Sequence, residues 1–491
     1  MGADAHNPGH MSPDAFRREG HRLIDWIADY WESLEERPVV GDTKPGDVLK
    51  ALPTSAPESP GGEREWDDIV RDLDAVIAPN LTHWQSPRFF AYFPCNGSGP
   101  GVLGELVSAG LGVNGMLWST SPAATELETR MLDWCADLHA LPEAFKSTGA
   151  GGGVIQGTAS EAAVCALVAA RKRAGGDPRT LAVACSEQAH SSIAKAAMVA
   201  GLADGPEDAT HIRLVRTGPE GAMDPVHLRE QLRTIDGVRP AMVVGTLGTT
   251  STGAFDRIDD IPRAIADAGL DRERVWVHID AAWAGSAFVC PEHRGPMAGI
   301  EHADSVCINP HKWGLVTFDC DLFWVRDRRA LTDALSITPE YLRNEATDAG
   351  AVIDYRDWQV PLGRRMRALK LWFVLRHYGA QGLRAHIRRG VELAAAFESW
   401  VRADERFEVP VDRSLGLVCF RLRAGDDASE RLLRELNRRG RVLVSHTRVP
   451  VGEGRAETYL IRFAVGATLT ERRHVVEAWD EIRAAADAVL G

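Results

Sequence analysis

Several features that this sequence lacks exclude whole classes of protein. None of its eight cysteines forms a CxxC pair, so neither a disulfide framework nor a zinc site is indicated. The densest run of small apolar residues, 162–170, is too short to span a bilayer. Residues 1–6 have neither the basic nor the apolar region of a signal peptide. These absences predict a cytoplasmic protein with reduced thiols and no membrane association.

Positive charge is also scarce, with 56 Lys and Arg against 69 Asp and Glu and a formal net charge of −13. Such an excess of negative charge opposes nonspecific binding to nucleic acid or to an anionic membrane. The 491 residues exceed what one hydrophobic core usually organises, so two or three domains are expected.

The N-terminal part reads as helices joined by an arm. Ser12 can cap a helix that has Pro13 in its first turn, and 66–76 has the apolar spacing of a second helix. Between them, 41–63 is rich in proline, glycine and serine. Two such helices cannot form their own core, so we expect 1–97 to clasp another surface, such as a second subunit.

The remainder divides into an α/β region and a small α+β region. Apolar strands alternate with helices, which is typical of a mostly parallel sheet; the predicted strands are 181–185, 241–246, 275–279 and 306–308. Beyond about 386, a long helix is followed by strands near 415–422, 442–445 and 459–465 and by a terminal helix. The predicted domains are 1–97, 98–385 and 386–491.

Ligands of open parallel sheets bind beyond the carboxyl ends of the strands, so the residues there are candidates for chemistry. The glycine-rich stretch 151–160 opens a helix over 161–173, where free N–H groups and the helix dipole favour an anion. Thr158, Ala159 and Ser160 are placed to hold a phosphate. A flexible loop with Ser160 as N-cap is the alternative. No GxxxxGK[ST] or GxGxxG motif supports a nucleotide.

Two further strand ends carry weaker signals. His190 follows the strand 181–185, and its flat imidazole can stack on an aromatic cofactor. A lone histidine, however, is more often a surface or helix-start residue. The turn 246–250 ends in Thr250, whose hydroxyl can reach a ligand, although a plain Gly/Thr turn explains it equally well.

Asp280 and Lys312 carry the strongest signals. Asp280 ends an apolar strand, where a carboxylate needs a positive partner such as the pyridinium nitrogen of pyridoxal phosphate. Ala281 and Ala282 leave room for a flat ring. A helix cap or a buried ion pair is a reasonable alternative for Asp280, but it leaves these alanines unexplained. Lys312 follows the strand 306–308 in the run Asn-Pro-His-Lys-Trp, in surroundings that suit Schiff-base chemistry, although most lysines are simply solvated.

The order of phosphate loop, histidine, strand-end aspartate and strand-end lysine is specific, and with it the chain resembles the aromatic-L-amino-acid decarboxylases. The resemblance extends over nearly the whole chain, through 11–16, 83–94, 121–128, 354–365 and 415–421. It implies a pyridoxal-phosphate enzyme of fold type I (aspartate-aminotransferase-like), with a seven-stranded, mainly parallel sheet, an N-terminal helical arm and a small C-terminal α+β domain. It also implies a homodimer with shared active sites.

The resemblance further implies a role for individual residues. Lys312 would hold the cofactor covalently, Asp280 would pair with the ring nitrogen, and Ala282 and His190 would lie against the two ring faces. Further cofactor contacts would come from Ala159, Ser160, Thr250, Asn309 and His311. The substrate pocket would include Trp84, Tyr92, Phe93, Asn114 and Met116. Tyr341, on a mobile loop, would donate the proton that completes the reaction.

Substrate choice is less sharply implied. Where related enzymes acting on catechols have threonine this chain has Cys95, and Gly363 is similar to members that accept indoles. Both favour tryptophan or phenylalanine over DOPA, 5-hydroxytryptophan or tyrosine. The aromatic stretch 84–93 argues against an acidic substrate, and hence against glutamate decarboxylase. The alternatives are an aromatic acetaldehyde synthase, which has phenylalanine at Tyr341, another fold-type I enzyme such as an aminotransferase, and an inactive oligomeric binding protein.

Overall fold

The computed structural model describes residues 10–59, 65–95, 97–337, 352–452 and 454–491. The predicted proton donor, Tyr341, lies outside these ranges. The strands are β1 Gly152–Gln156, β2 Leu181–Ser186, β3 Ile212–Val215, β4 Arg239–Thr246, β5 Trp276–Asp280, β6 Ser305–Ile308, β7 Asp321–Val325, β8 Phe407–Glu408, β9 Leu417–Leu422, β10 Ser445–Val451 and β11 Ala456–Ala464.

Helices cover both sheets and form the N-terminal arm. They are α1 Pro13–Glu32, α2 Asp47–Ala51, α3 Glu65–Asp72, α4 Gly99–Leu111, α5 Pro122–Leu138, α6 Ala159–Ala174, α7 Ser192–Val199, α8 Pro225–Gln231, α9 Asp260–Asp267, α10 Pro310–Trp313, α11 Arg328–Leu335, α12 Arg367–Ala403, α13 Asp426–Arg439 and α14 Arg472–Leu490. In the described ranges, none of them is long and apolar enough to cross a membrane.

The large sheet confirms the predicted mainly parallel architecture. Its seven strands have the order β1-β7-β6-β5-β4-β2-β3. Neighbours from β6 through β3 are parallel, whereas β7 is antiparallel to both β6 and β1. All residues of β2, β5, β6 and β7 are buried, as expected for strands covered by helices on both faces. The parallel strands bring residues 186, 246, 280 and 309 to one edge.

The helix α6 lies close against this sheet because its buried face consists mostly of alanine. Its buried alanines are at 159, 162, 163, 166, 169, 170 and 174. The helix contacts β1, β4, β5, β6 and β7, so its N-terminus is fixed at the carboxyl edge of the parallel strands.

The C-terminal sheet differs from the sequence prediction in one strand. It is antiparallel, with the order β10-β11-β9-β8. The predicted strand at 442–445 is wrong: Leu443 forms only an isolated bridge to Phe89, and β10 begins at Ser445. β10 is an edge strand that contains Pro450 and two exposed residues, His446 and Arg448, and it lacks the apolar pattern of a central strand.

The N-terminal helix α1 and the long helix α12 each have one feature that bears on the sequence predictions. As predicted, Ser12 caps α1 and accepts a hydrogen bond from the N–H of Ala15 at 3.2 Å. Phe16 and Ile24 on α1 are exposed. Helix α12 runs through position 385, with a kink at Gly379, whose φ of 59° suits glycine. The division at 97 and 385 stays a prediction.

Candidate active site

A pocket of about 220 Å³ lies at the carboxyl edge of the parallel strands. It brings together every residue predicted to contact the cofactor, although these residues are spread over more than a hundred positions of sequence. Its lining consists of Phe93, Thr158, Ala159, Ser160, His190, Ser192, Thr246, Gly248, Thr250, Asp280, Ala282, Trp283, Asn309, His311, Lys312 and Phe318.

Lys312 lies on the short helix α10, directly after β6. Its backbone N–H bonds to the carbonyl of Asn309 at 2.9 Å, and its Nζ lies 5.9 Å from the centroid of the Phe93 ring. In the part of the chain that the structure describes, no carboxylate lies within ion-pair distance of this amine. The amine of Lys312 therefore forms no ion pair with a described acid and is available to react with an aldehyde.

Asp280 is held by one of its two carboxylate oxygens. Oδ1 accepts the N–H of Ala282 at 3.0 Å and lies 3.8 Å from Sγ of Cys307. Within the described ranges, no hydrogen bond is made by Oδ2. The side chain is only 8% exposed, so an anion here is stable only with a positive partner. The free oxygen and the pocket beside it fit a protonated ring nitrogen.

His190 presents a neutral imidazole to the same pocket. Its Nδ1 accepts the N–H of Ser192 at 3.1 Å, so the proton of the neutral ring resides on Nε2. Burial lowers the pKa of His190, and the positive charge of Lys312 lowers it further, whereas Asp280 acts in the opposite direction. A neutral, flat ring is suited to stacking on an aromatic cofactor.

The phosphate-binding end is built by the N-terminus of α6. The glycine-rich stretch is not one loop, because Gly152–Gln156 forms β1. Thr158, rather than Ser160, occupies the N-cap position. The N–H groups of Ala159 and Ser160 bond to no described residue, as expected in the first turn of a helix. This sixteen-residue helix therefore offers free donors and its positive dipole end to the pocket.

Orphaned polar atoms test whether the pocket fits pyridoxal phosphate. The hydroxyl of Thr246 and Oδ1 of Asn309 are buried and have no hydrogen-bond partner within the described ranges. Such atoms are costly unless a ligand or water satisfies them. The free N–H groups of α6 match the phosphate of that cofactor, Oδ2 of Asp280 matches its protonated ring nitrogen, and the amine of Lys312 matches its aldehyde. The residues present fit it.

His311 adds a second neutral imidazole. Its Nδ1 accepts the N–H of Cys320 at 2.9 Å, and its ring packs against that of Phe318 in a T-shaped arrangement with the centroids 4.8 Å apart. Burial, followed by the charge of Lys312, lowers the pKa of His311 to about 4. The side chain is therefore uncharged at neutral pH, with Nε2–H as its donor.

An aromatic wall closes the pocket, and part of it was missed by the sequence analysis. Phe93 stacks on Trp283 with centroids 4.2 Å apart, and Trp283 stacks on Trp313 at 5.5 Å. Behind Phe93, the guanidinium of Arg462 lies 5.0 Å from its centroid. Arg462 comes from β11 and donates hydrogen bonds to the carbonyls of Ser251 and Tyr92 and to Oγ of Ser445. The sequence feature that could have indicated this role is the single arginine, Arg462, within the apolar run 459–465.

Cys95 and the aromatic pair Trp84 and Tyr92 lie beside the pocket rather than in it. Trp84 stacks on Tyr92 at 5.6 Å, and Tyr92 is 57% exposed. Cys95 lines an adjoining cavity of about 360 Å³ that shares Phe318 with the first. Burial raises the pKa of the Cys95 thiol, while the charge of Lys312 lowers it.

Three other predicted substrate residues form a separate group. Oδ1 of Asn114 accepts the N–H of Arg364 at 2.9 Å, next to Gly363, and the carbonyl of Met116 accepts the N–H of Arg356 at 3.1 Å. None of the three lines the pocket of its own chain. Asn114 and Gly363 are exposed.

Comparison with known proteins identifies the family. Residues 45–423 match the family model of the pyridoxal-dependent decarboxylase conserved domain. The chain is 43% identical to the aromatic-L-amino-acid decarboxylase of Rattus norvegicus, over 98% of this chain and 99% of that protein. It is 44% identical to the phenylacetaldehyde synthase of Arabidopsis thaliana, over 98% and 97%.

The fold comparison agrees. The structure of Oryza sativa TDC with PLP and tryptamine superimposes with a TM-score of 0.91 at 40% identity, covering 98% of this chain and 99% of that one. The chain therefore belongs to the pyridoxal-dependent decarboxylase family. It is a carboxy-lyase, and its cofactor is pyridoxal phosphate.

Proposed function

We propose that this enzyme decarboxylates an aromatic L-amino acid, with tryptophan or phenylalanine favoured, to the arylalkylamine and CO2. The observation that carries the proposal is the pocket itself, in which Lys312, Asp280 and His190 converge beside the stacked rings of Phe93 and Trp283.

Each side chain has a task that follows from its contacts. When bound, pyridoxal phosphate supplies an electron sink for the electron pair that CO2 leaves behind. Lys312 would hold the cofactor through its amine, and Asp280, fixed through Oδ1, would offer Oδ2 to the ring nitrogen. The neutral ring of His190 would lie against one face of the cofactor, and Ala282 would leave space at the other. The N–H groups of Ala159 and Ser160 would bind the phosphate.

The charge of the pocket supports an aromatic rather than an acidic substrate. No arginine is among its described lining residues, and its histidines have lowered pKa values. An acidic side chain would therefore find no cation besides Lys312, which the cofactor occupies. Phe93 and Trp283, by contrast, give the pocket an apolar aromatic lining against which an aromatic side chain can pack.

Formation of the amine requires that a proton be added at Cα of the substrate, and we assign Tyr341 as the donor of this proton. A phenol delivered to the site makes protonation fast and keeps the reaction from oxidative side paths. The rival function is that of an aromatic acetaldehyde synthase, and it is favoured by one observation, the 44% identity to the Arabidopsis phenylacetaldehyde synthase. The presence of tyrosine at position 341 supports the amine product.

We further propose that the enzyme is a cytoplasmic homodimer with shared active sites. Helix α4 exposes Leu103, Leu106, Val107 and Leu111, an apolar face that a second subunit would bury. The group formed by Asn114, Met116 and Gly363 lies outside its own pocket, in keeping with donation to a partner's pocket. All eight cysteines are free, which supports a reducing compartment.

A substrate panel tests the proposed reaction. The purified holoenzyme is incubated in air with tryptophan, phenylalanine, tyrosine, DOPA, 5-hydroxytryptophan and glutamate, and CO2, amine, aldehyde and H2O2 are quantified. We expect CO2 and amine in equal amounts, with the highest kcat/KM for tryptophan or phenylalanine and no turnover of glutamate. Aldehyde and H2O2 in place of amine would establish the synthase instead.

A further inference from the structure

Asp321, the first residue of β7, is a buried acid that the proposed reaction does not use. Its side chain is fully buried, and neither carboxylate oxygen has a hydrogen-bond partner among the residues that the structure describes. An ionised carboxylate without donors is strongly destabilising in such a place. Its environment therefore indicates either a ligand or a proton.

The register of the sheet places Asp321 on the same face as Asp280. Asp280 pairs with Cys307, and Cys307 pairs with Phe323. Residues two apart on a strand share a face, so Asp321 lies on the face that carries Phe323, Cys307 and Asp280. The two acids thus lie on the same face of the sheet, with the strand β6 between them.

Gln156, the last residue of β1, lies directly opposite Asp321. Side chains in such antiparallel pairs have Cβ atoms about 4.5–5.5 Å apart. Nε2 of Gln156 is used, because it donates to the carbonyl of Trp358 at 3.2 Å and to Sγ of Cys165 at 3.4 Å. Its Oε1 is buried and, within the described ranges, unpaired. An acceptor that lacks a donor therefore faces an acid that lacks any partner.

The charges around Asp321 favour a bound proton. Burial raises the pKa of Asp321 well above its usual value, and the negative charges of Asp280 and Glu161 raise it further, with Lys312 acting in the opposite direction. Asp256 offers a comparison within the same chain. It is equally enclosed but accepts the N–H groups of Thr246 and Met223 at 2.7 and 2.8 Å, and its pKa is raised only to about 6.

We propose that Asp321 is a neutral carboxylic acid whose O–H donates to Oε1 of Gln156, and that it is a positioning residue for the phosphate-binding end of the pocket. The bond ties the end of β1 to β7, two residues before the N-cap Thr158. A neutral acid also leaves Asp280 free of a second negative charge on its face of the sheet. The protonation of Asp321 does not depend on the proposed function; only its effect on cofactor binding rests on that function.

Infrared difference spectroscopy on the holoenzyme tests the proton directly. At about pH 8, where the Asp256 carboxyl has lost its proton, the spectrum of the wild type minus that of Asp321→Asn should contain the carbonyl band of a protonated acid, and the band should shift in D2O. Asp256→Asn, the matched control, should remove only carboxylate bands. Loss of carboxylate bands in Asp321→Asn would overturn the proposal. The measurement needs no turnover, so it stands apart from the proposed reaction.

The partner of the proton is tested by Gln156→Leu, which removes the acceptor. The acid band of Asp321 should then move to higher frequency, as for a carboxylic acid that has lost its hydrogen bond. An unchanged band would contradict the assignment of Gln156.

Cofactor binding tests the positioning role. In Asp321→Asn the amide still donates to Gln156, so the Kd of pyridoxal phosphate should stay within about threefold of the wild type. Asp321→Leu has no donor, and its Kd should rise about tenfold. The pH midpoint of the cofactor's absorbance should be the same in Asp321→Asn and the wild type, because no charge is removed. A midpoint moved to lower pH in Asp321→Asn, or equal Kd values for both variants, would refute the role.

Discussion

The backbone N–H of Ala282 donates to Oδ1 of Asp280 at 3.0 Å, which fixes the carboxylate and leaves Oδ2 without a described partner. Asp280→Ala removes the partner proposed for the ring nitrogen. The variant should bind pyridoxal phosphate weakly and lose more than about tenfold in kcat, or roughly 1.4 kcal/mol of barrier. Single-turnover decarboxylation with saturating cofactor separates the two effects. A rate within about tenfold of the wild type would rule out the ring-nitrogen role.

Replacement of Lys312 tests covalent attachment. Lys312→Ala deletes the amine that lies 5.9 Å from the Phe93 centroid, and turnover should fall by about a thousandfold or more, roughly 4 kcal/mol. The cofactor should no longer be fixed to the chain by borohydride, which mass spectrometry of the peptide detects. Lys195, on α7, is a suitable control, and Lys195→Ala should retain both properties. Borohydride fixation in Lys312→Ala would assign the attachment to another lysine.

Tyr341→Phe tests the source of the proton. The ring is kept and the phenolic proton is lost, so CO2 should still be released while part of the amine is replaced by aldehyde, ammonia and H2O2. The amine-to-aldehyde ratio in air is the deciding measurement. If the ratio does not change, the donor is another group, and His190→Gln becomes the next variant to examine.

Buried neutral histidines predict how stability depends on pH. Burial lowers the pKa of His139, His278 and His311 from 6.5 to about 4. The unfolded chain therefore binds more protons between these values, and the free energy of unfolding should fall as the pH is lowered from 6.5 towards 4. Urea midpoints across this range measure it. His278→Asn should flatten the slope if it folds, whereas His377→Asn, at an exposed position, should leave it unchanged; equal slopes would contradict the prediction.

The closeness of Trp313 to position 390 of α12 predicts that this helix influences the lysine. A Cβ at Gly390 would lie 2.9 Å from Cζ2 of Trp313, which directly follows Lys312. Gly390→Ala should therefore displace the indole, destabilise the protein by about 1–3 kcal/mol and weaken cofactor binding. Gly20→Ala in α1 is the control, because nothing lies within 4 Å of its added Cβ. An unchanged absorbance and urea midpoint in Gly390→Ala would show that Trp313 adjusts freely.

The sequence was sufficient for features that are encoded locally. The strand ends at Asp280 and Lys312 follow apolar runs, and their convergence follows from the rules of parallel sheets. The sequence did not predict the role of Arg462, because its partners, Ser251 and Tyr92, are distant in sequence and only packing brings them together. The bounds of β10 were not predicted, because an edge strand needs no continuous apolar pattern. The placement of Asn114 and Gly363 outside their own pocket depends on tertiary structure that no local pattern encodes.

The position of Arg462 shows that residues beyond the end of the family model also contribute to the pocket. The family model ends at residue 423, and every residue that we propose to contact the cofactor lies before that point. The guanidinium that supports Phe93 from behind comes from β11, beyond it. A fragment trimmed to residues 45–423 would keep every residue that we propose to contact the cofactor, but it would lose Arg462, which lies behind Phe93. Exchanging the pocket residues of one family member for those of another should therefore not transfer the substrate preference unless β11, which carries Arg462, is exchanged as well.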